Sequence, residues 1–321
     1  MSAGPAAPGT IRLWPAVLAA TGGSVMVGFM PIIARHLYDQ GIGAPSMLLW
    51  RYAIALPALL LAAAATRLDL AAAYRDGAWR IALVGATLGA GQTLCFWESL
   101  KTLDTSIAVL LFYTYPALTL LLDRVLFGRP IRVPAVSCVA IILAGAALIT
   151  LPGLRHGTLD PTGLAWALPA PLLYVFYLAA NSVLLRRHPP LAGALSLYLG
   201  MAVSFAAIGA VQGLDLPAGA DGWVMLVFIA LGPGALTITL FSYSVPLLGP
   251  SSYAIIANLE LVTVVVVGVT LLGEPVTTER AGGGLLIVLG IVGYGLVRRS
   301  DAPRPGPRPA SGERVARSTG G

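Results

Sequence analysis

Charged residues are scarce in this sequence. Of its 321 residues only 11% are charged, 57% are hydrophobic, and the mean hydropathy is +0.83. A soluble domain carries roughly 25% charged residues, so this chain has too few to cover a surface that faces water. The composition therefore predicts an integral membrane protein.

Residues that could perform catalysis or bind a metal are also scarce inside the apolar runs. Both cysteines, Cys95 and Cys138, lie within such runs, which excludes a disulfide framework or a zinc site. The three histidines lie in predicted loops, and no predicted span contains a lysine or two nearby acids. An enzyme needs a nucleophile, paired acids or a metal set. We therefore predict a protein that is not an enzyme and that uses no cofactor and no metal.

What the chain does contain is long apolar runs. The first extends from Leu13 to Ala34, and about 20 apolar residues are enough to cross the hydrocarbon core of a bilayer. A small-residue stretch near position 20 imitates a signal-peptide cleavage site, but the apolar run continues beyond it, so we predict a retained helix. Nine more spans are predicted, at 45–65, 79–99, 105–127, 132–151, 162–184, 191–213, 222–243, 251–272 and 281–298.

An internal repeat organises these spans. The segment Leu103–Pro130 is repeated by Leu248–Pro275 at a constant offset of 145 residues, and Gly145 falls on Gly290 at the same offset. Residues 12–151 thus form one unit of five helices and residues 162–298 a second. Because five is odd, the second unit enters the membrane from the opposite side. The predicted fold is an all-α membrane protein of ten helices in two inverted repeats, an architecture common among secondary transporters.

Basic residues predict the orientation. With a cytoplasmic N-terminus, 15 Lys and Arg residues lie on the cytoplasmic side and 4 on the outside. Such a bias marks the cytoplasmic loops, so both termini are predicted to be cytoplasmic, in a multi-pass protein of the cell membrane. Residues 299–321 are rich in Pro, Gly, Arg and Ser, which predicts a disordered basic tail. The net charge of +6 follows from these loops and the tail, and it does not predict binding to nucleic acid.

Several motifs together resemble a known family. They are Ser106…Pro116…Gly128-Arg-Pro130, Ser251…Leu259-Glu260…Leu272-Gly273-Glu274-Pro275, and Arg51 in LLWRYAIAL. Over about residues 12–298 the chain resembles the EamA module of the drug/metabolite transporter superfamily. The resemblance implies a ten-helix exporter or exchanger of small metabolites, with a central cavity walled mainly by helices one to four and six to nine. One position departs from the family pattern: Leu261 stands where the first repeat has Pro116, so the second copy lacks the proline that would kink this helix.

Glu260 is the acid placed deepest in a predicted span. At 1.5 Å per residue it lies roughly 14 Å into the span that begins at Ser251. Such a carboxylate is costly unless it is protonated, paired or facing water, so it is either a proton-coupling site or an interhelical tie. Asn258, two residues away, points elsewhere on the helix. In the repeat, Tyr113 matches Asn258 and Tyr115 matches Glu260, so the two halves are chemically unequal. Glu274 is interpreted as a residue at a helix start.

Two stripes at helical spacing complete the candidate site. Pro171, Tyr174, Tyr177 and Asn181 form one, interpreted as a substrate wall or as interfacial anchoring. Gln92, Phe96 and Ser99 form the other. Arg51 and Glu98 are predicted to form a structural ion pair, because intramembrane charges tend to pair. The predicted substrate-binding residues are Gln92, Phe96, Tyr113, Tyr174, Tyr177 and Asn258.

These observations predict a secondary active transporter, an exporter or exchanger of a small organic metabolite or drug that works by alternating access. The alternative is a membrane-embedded enzyme acting on a lipid-linked substrate. The predicted partners are the small-molecule substrate and the lipid bilayer, and the chain is expected to be a monomer or a homodimer.

Overall fold

A computed structural model describes residues 13–103, 105–128, 130–154, 160–217, 219–272 and 277–300. Within these ranges the regular structure is helical and contains no strand, which confirms the predicted all-α class. The Gly-Glu-Pro turn with Glu274 and the predicted tail from residue 301 onward lie outside the described residues.

The described residues of the first half of the chain form nine helices. They are α1 (Trp14–Val27), α2 (Met30–Asp39), α3 (Ala44–Ala65), α4 (Leu70–Ala73), α5 (Trp79–Val84), α6 (Ala90–Ser99), α7 (Thr105–Phe112), α8 (Tyr115–Phe127) and α9 (Val133–Leu154). A π-helical turn at Gly85–Gly89 joins α5 to α6. Residues Tyr74–Ala78 join α4 to α5 through a kink at Gly77, whose φ of 103° is not helical.

In the second half, the part of the chain that the structure describes forms eight helices. They are α10 (Pro161–Ala167), α11 (Pro169–Leu184), α12 (Pro190–Gln212), α13 (Ala220–Ala230), α14 (Thr237–Leu248), α15 (Pro250–Ala257), α16 (Leu259–Leu272) and α17 (Thr278–Ser300). A 3₁₀ turn at Leu185–Arg187 ends α11, and a π-helical turn at Leu231–Leu236 joins α13 to α14.

Within the described ranges, six helical stretches are long and apolar enough to cross a membrane. They are Ala44–Ala65, Ile107–Phe127, Pro161–Arg187, Pro190–Gln212, Ala220–Leu248 and Pro250–Thr270. Shorter apolar helices occur at Trp14–Val27 and Val133–Ile149. The chain is thus a multi-pass membrane protein, whereas the number of ten spans and their inverted arrangement stay predictions.

Several predicted spans are interrupted helices. The first run breaks between α1 and α2 at Gly28 and Phe29. A Cβ on Gly28 would lie 2.5 Å from Cβ of Thr263, so α1 approaches α16 closely at this break. Interruptions leave backbone carbonyls without helical partners, which a membrane tolerates only where protein or a wet cavity satisfies them.

Glycine allows α9 and α17 to pack closely. A Cβ on Gly145 would lie 2.6 Å from the carbonyl oxygen of Gly283, and one on Gly283 would lie equally near that of Gly145. Gly290 faces the carbonyl oxygen of Cys138 in the same way. These small residues join the last helix of each half through backbone contact, a packing mode typical of membrane helices.

Candidate functional site

A cavity of about 170 Å³ lies between the two halves of the chain. The first half contributes Arg51, Tyr52, Gln92 and Thr93 to its wall. The second half contributes, among others, Tyr174, Tyr177, Tyr198, Phe241 and Tyr253. Both repeats therefore supply polar and aromatic side chains to one space.

Arg51 is the charged residue in this wall. One terminal nitrogen of its guanidinium group donates a hydrogen bond to the carbonyl oxygen of Pro233 at 2.8 Å, and the other contacts the sulfur of Met30 at 3.3 Å. The Pro233 carbonyl lies in the π-helical turn between α13 and α14, where the helical bonding pattern changes. Arg51 also lies 5.7 Å from the ring centroid of Tyr52.

The predicted ion pair between Arg51 and Glu98 is wrong. Glu98 pairs instead with Lys101, one helical turn along the chain, at 2.7 Å. Lys101 is close in sequence and exposed, so it reaches Glu98 at little cost. Arg51 is consequently left facing the cavity.

Aromatic rings form a continuous wall around the cavity. Phe112 lies 5.4 Å from Tyr174, Tyr174 lies 6.1 Å from Tyr177, and Tyr177 lies 5.4 Å from Phe241, measured between ring centroids. On the other side, Tyr52 meets Tyr198 edge to face at 4.9 Å. Such rings provide apolar area together with hydroxyl groups that can bind polar atoms.

Glu260 lies next to this wall, in the first turn of α16. Its side-chain hydrogen-bond partner is Tyr113 of the other repeat, and it also interacts electrostatically with Arg51. The N-terminus of a helix carries partial positive charge, which stabilises a carboxylate at this position. The acid therefore lies where the fold can hold a negative charge between the repeats.

The helix containing Glu260 is broken even though Leu261 replaces the proline. The break lies at Asn258, between α15 and α16. The Asn258 side chain donates to the carbonyl oxygens of Ala254 at 2.8 Å and Ile255 at 3.3 Å, so it satisfies carbonyls that the interruption frees. The expectation that the missing proline removes the kink is wrong, because an asparagine side chain performs this role.

Three of the six predicted substrate-binding residues line the cavity: Gln92, Tyr174 and Tyr177. Tyr177 is 4% exposed and faces this space, so interfacial anchoring does not describe it. The other three are absent from the cavity wall. Phe96 packs on Phe112 with ring centroids 5.1 Å apart, Tyr113 is buried against Glu260, and Asn258 is fully buried at the helix break.

Sequence reasoning missed most of the second-half wall, namely Tyr198, Phe241 and Tyr253, as well as Tyr52. Phe241 and Tyr253 lie within two residues of a predicted span end. Tyr52 and Tyr198 lie well inside predicted spans instead of at their ends, where interfacial tyrosine is common. That depth was a usable signal, but only the folded structure brings four different helices to one point.

Polar contacts join the two repeats at both ends of the molecule. At one end the Asp215 carboxylate accepts hydrogen bonds from the backbone of Gly43 at 2.8 Å and from Ser46 at 3.1 Å. Gln40 and His36 reach Asp221 at 2.6 Å and 3.5 Å. At the other end Ser251 donates to Asp123 at 2.6 Å. Beside that bond lies a cavity of about 370 Å³ whose wall includes Arg132, Arg186 and Tyr294.

Known proteins share this organisation. One crystal structure, described only as that of a protein, matches this chain with a TM-score of 0.77 at 18% identity. The match covers 89% of this chain and 99% of that one, which shows a common fold. An uncharacterized transporter of Bacillus subtilis (strain 168), YxxF, is 26% identical over 235 residues, which are 70% of this chain and 74% of that protein. The model of the EamA-like transporter family matches twice, at residues 14–151 and 161–296. The resemblance noted in the sequence is thereby confirmed, and this membrane protein belongs to the EamA-like transporter family.

Proposed function

We propose that this transporter is a secondary carrier that moves a small organic metabolite or drug by alternating access, as an exporter or exchanger in the cell membrane. The proposal includes ten spans, inverted repeats and cytoplasmic termini. The observation that carries it is the cavity between the halves, to which both repeats contribute side chains. A site at the interface of two inverted repeats can face either side when one repeat moves against the other.

The contacts at the two ends support such a movement. At the Asp215 and Asp221 end, the loop between α2 and α3 and the start of α3 are bonded to the segment joining α12 to α13 and to the first turn of α13. This end is the outer one in the predicted orientation, so we assign the present conformation as closed to the outside. Few polar contacts hold it, and exposed hydrogen bonds of this kind can exchange for water at little net cost.

Glu260 is the proposed coupling residue. It lies between Tyr113 of the first repeat and the N-terminus of α16, and it interacts with Arg51 at the cavity. A proton on this carboxyl group changes the charge between the repeats, which biases the conformation that the repeats adopt. The structural alternative, a tie between helices, predicts that a neutral isostere retains transport.

Ligand binding and flux test the proposal. Purified protein is screened against a metabolite library by thermal shift, since a ligand of the folded state stabilises it. Each stabilising solute is then supplied in radioactive form to vesicles containing the protein, with and without a pH gradient. We expect protein-dependent uptake of at least one such solute. Stabilising solutes that never cross the membrane faster than in empty vesicles would contradict a carrier.

Cysteine labelling tests the orientation. In a chain with Cys95 and Cys138 replaced by alanine, Leu216→Cys and Arg187→Cys place single thiols at exposed positions in different loops. An impermeant maleimide added to intact cells is expected to label position 216 and to spare position 187. The reverse pattern would contradict cytoplasmic termini.

A further inference from the structure

We propose that Arg51 binds an anionic group of the substrate, so that the transported solute is a small organic carboxylate. The inference rests on the proposed function, because it names the solute that the central cavity accepts. It begins from the correction at Glu98: the guanidinium group faces the cavity and forms no salt bridge with any acid in the described part of the chain.

The hydrogen-bonding capacity of Arg51 is only partly used. A guanidinium group carries five N–H donors. Here one donor meets the Pro233 carbonyl and one meets the Met30 sulfur, which is a weak acceptor. The Tyr198 hydroxyl is a further hydrogen-bond partner of the group, whereas the buried Nε has no hydrogen-bond partner among the described residues. A buried donor without an acceptor is costly, and a ligand oxygen in the cavity would remove that cost.

The nearby acids are engaged elsewhere. Glu98 is paired with Lys101, and Glu260 has Tyr113 as its side-chain partner. Glu260 interacts with Arg51 only electrostatically, without an ion-pair contact. A permanent cation inside a membrane protein is expensive, and such residues mark substrate or ion pathways. An anion brought by the substrate supplies the missing partner.

A carboxylate suits the donor set better than the other common anions. The planar guanidinium fork matches the two oxygens of a carboxylate. A phosphate group carries up to two charges at neutral pH, and the described cavity wall offers Arg51 as its one cation. A cationic solute would meet repulsion from the same residue.

The other residues of the cavity wall indicate the size and polarity of the remainder of the solute. Tyr174, Tyr177 and Phe241 present a row of rings, so the remainder of the carboxylate is apolar or aromatic. At about 170 Å³ the cavity is smaller than the roughly 300–1,000 Å³ typical of ligand pockets, so the solute is small. Gln92 and Thr93 add neutral groups for one further polar atom.

Matched probes test the class of solute on the unmodified protein. Acetate, isovalerate and phenylacetate are compared with their neutral amides and with phenethylammonium. The charged probes are added as salts, and the ionic strength is held constant in all samples. Thermal shift measures binding, and vesicle uptake of the labelled compounds measures transport. We expect at least one carboxylate to stabilise the protein more than its amide, and phenethylammonium to give no stabilisation. Equal effects of each acid and its amide, or no effect of any acid, would overturn the proposal.

Substitutions then assign the effect to Arg51. Arg51→Gln keeps a donor for the Pro233 carbonyl but removes the charge. It is expected to weaken carboxylate binding by at least about thirtyfold, as the loss of one partner of a buried charged pair does. Arg51→Lys should retain part of the preference for acids over amides. Lys101→Gln removes a cation outside the cavity and should bind as the unmodified protein does. An Arg51→Gln protein that melts normally and still prefers acids would overturn the assignment.

The binding and uptake measurements together distinguish a failure of this inference from a failure of the proposed function. Selective binding of a carboxylate without any uptake would keep the anion site and contradict the carrier. Uptake of amides or of phenethylammonium, without selective binding of acids, would keep the carrier and contradict the anion site.

Discussion

The two repeats break the same helix at matching positions, but they do so with different chemistry. In the first repeat α7 ends at Phe112 and α8 begins at Tyr115, followed directly by Pro116. In the second, α15 ends at Ala257 and α16 begins at Leu259, with Asn258 between them. At the repeat offset of 145, Tyr113 matches Asn258, so the break has kept its place while its sequence changed.

The first break uses a proline and a threonine. Pro116 has no N–H to donate, and it lies in the first turn of α8, where proline is tolerated. The Thr114 hydroxyl donates to the carbonyl oxygen of Leu111 at 2.7 Å. At the second break the Asn258 side chain donates to the Ala254 and Ile255 carbonyls. An interruption at this depth can thus be stabilised by different side chains, provided that they satisfy the freed carbonyl groups.

The first residues of the helices that follow the two breaks differ more than the breaks themselves do. The first repeat places Tyr115 at the start of the new helix, and the second places Glu260 there. A helix N-terminus inside a membrane stabilises negative charge. The same backbone feature therefore supports an ionisable group in one repeat and a neutral hydroxyl in the other, which is how a symmetric scaffold acquires an asymmetric site.

The largest expected effect is on transport, and it distinguishes Glu260 from Tyr115, its equivalent in the first repeat. Glu260→Gln keeps the shape of the side chain but fixes it as neutral. We expect this variant to fold and bind substrate but to lose uptake driven by a pH gradient, down to the level of empty vesicles. Exchange of substrate across the membrane should survive, since exchange does not require release of the proton. Uptake and exchange in the same vesicles measure the difference.

Tyr115→Phe is the matched control, because it changes the equivalent position of the other repeat. It should retain gradient-driven uptake, since no titrating group is removed near neutral pH. If Glu260→Gln transports normally with unchanged pH dependence, Glu260 is only an interhelical tie. Tyr113 and Asn258 would then be the next residues to test for a role in transport.

The second prediction concerns proline in the broken helix. Leu261→Pro restores the residue found in the first repeat and removes one turn bond, from the Leu261 amide to the Asn258 carbonyl at 3.1 Å. It should cost well below the roughly 3 kcal/mol of a proline in a helix interior. Val265→Pro, one turn further into α16, should cost that full amount. Melting temperatures of the two variants test this, and equal losses would show that α16 does not begin at the break.

The sequence predicted the helical class, the family and the repeat because these depend on composition, run length and spacing. It also identified Glu260 as the acid that lies deepest in a predicted span. It did not predict that Arg51 faces the cavity, because intramembrane charges were expected to pair and Arg51 was assigned to Glu98, which in the structure pairs with the nearby Lys101. The break at Asn258 was missed for a related reason. The sequence shows a missing proline, whereas side-chain bonds to backbone carbonyls become visible only in three dimensions.

The smallest expected effect tests how the two breaks are joined. The carbonyl oxygen of Ala254 accepts hydrogen bonds from Asn258 of its own repeat and from the Tyr115 hydroxyl of the other, the latter at 3.2 Å. Asn258→Leu removes a donor together with the buried, unpartnered Oδ1 of Asn258, so alone it should cost little. Tyr115→Phe alone leaves the Asn258 bond in place. Together the two changes leave a buried carbonyl without these donors.

The double variant should therefore lose about 1 kcal/mol more unfolding free energy than the two single losses combined. Denaturant titration of the purified single and double variants measures this coupling. Asn258→Leu with Thr119→Val is the control pair, because the Thr119 hydroxyl bonds the Pro116 carbonyl within the first repeat and does not reach Ala254. That pair should be additive within about 0.5 kcal/mol. Additive losses in the Tyr115 pair as well would mean that the breaks are stabilised separately, each by its own repeat.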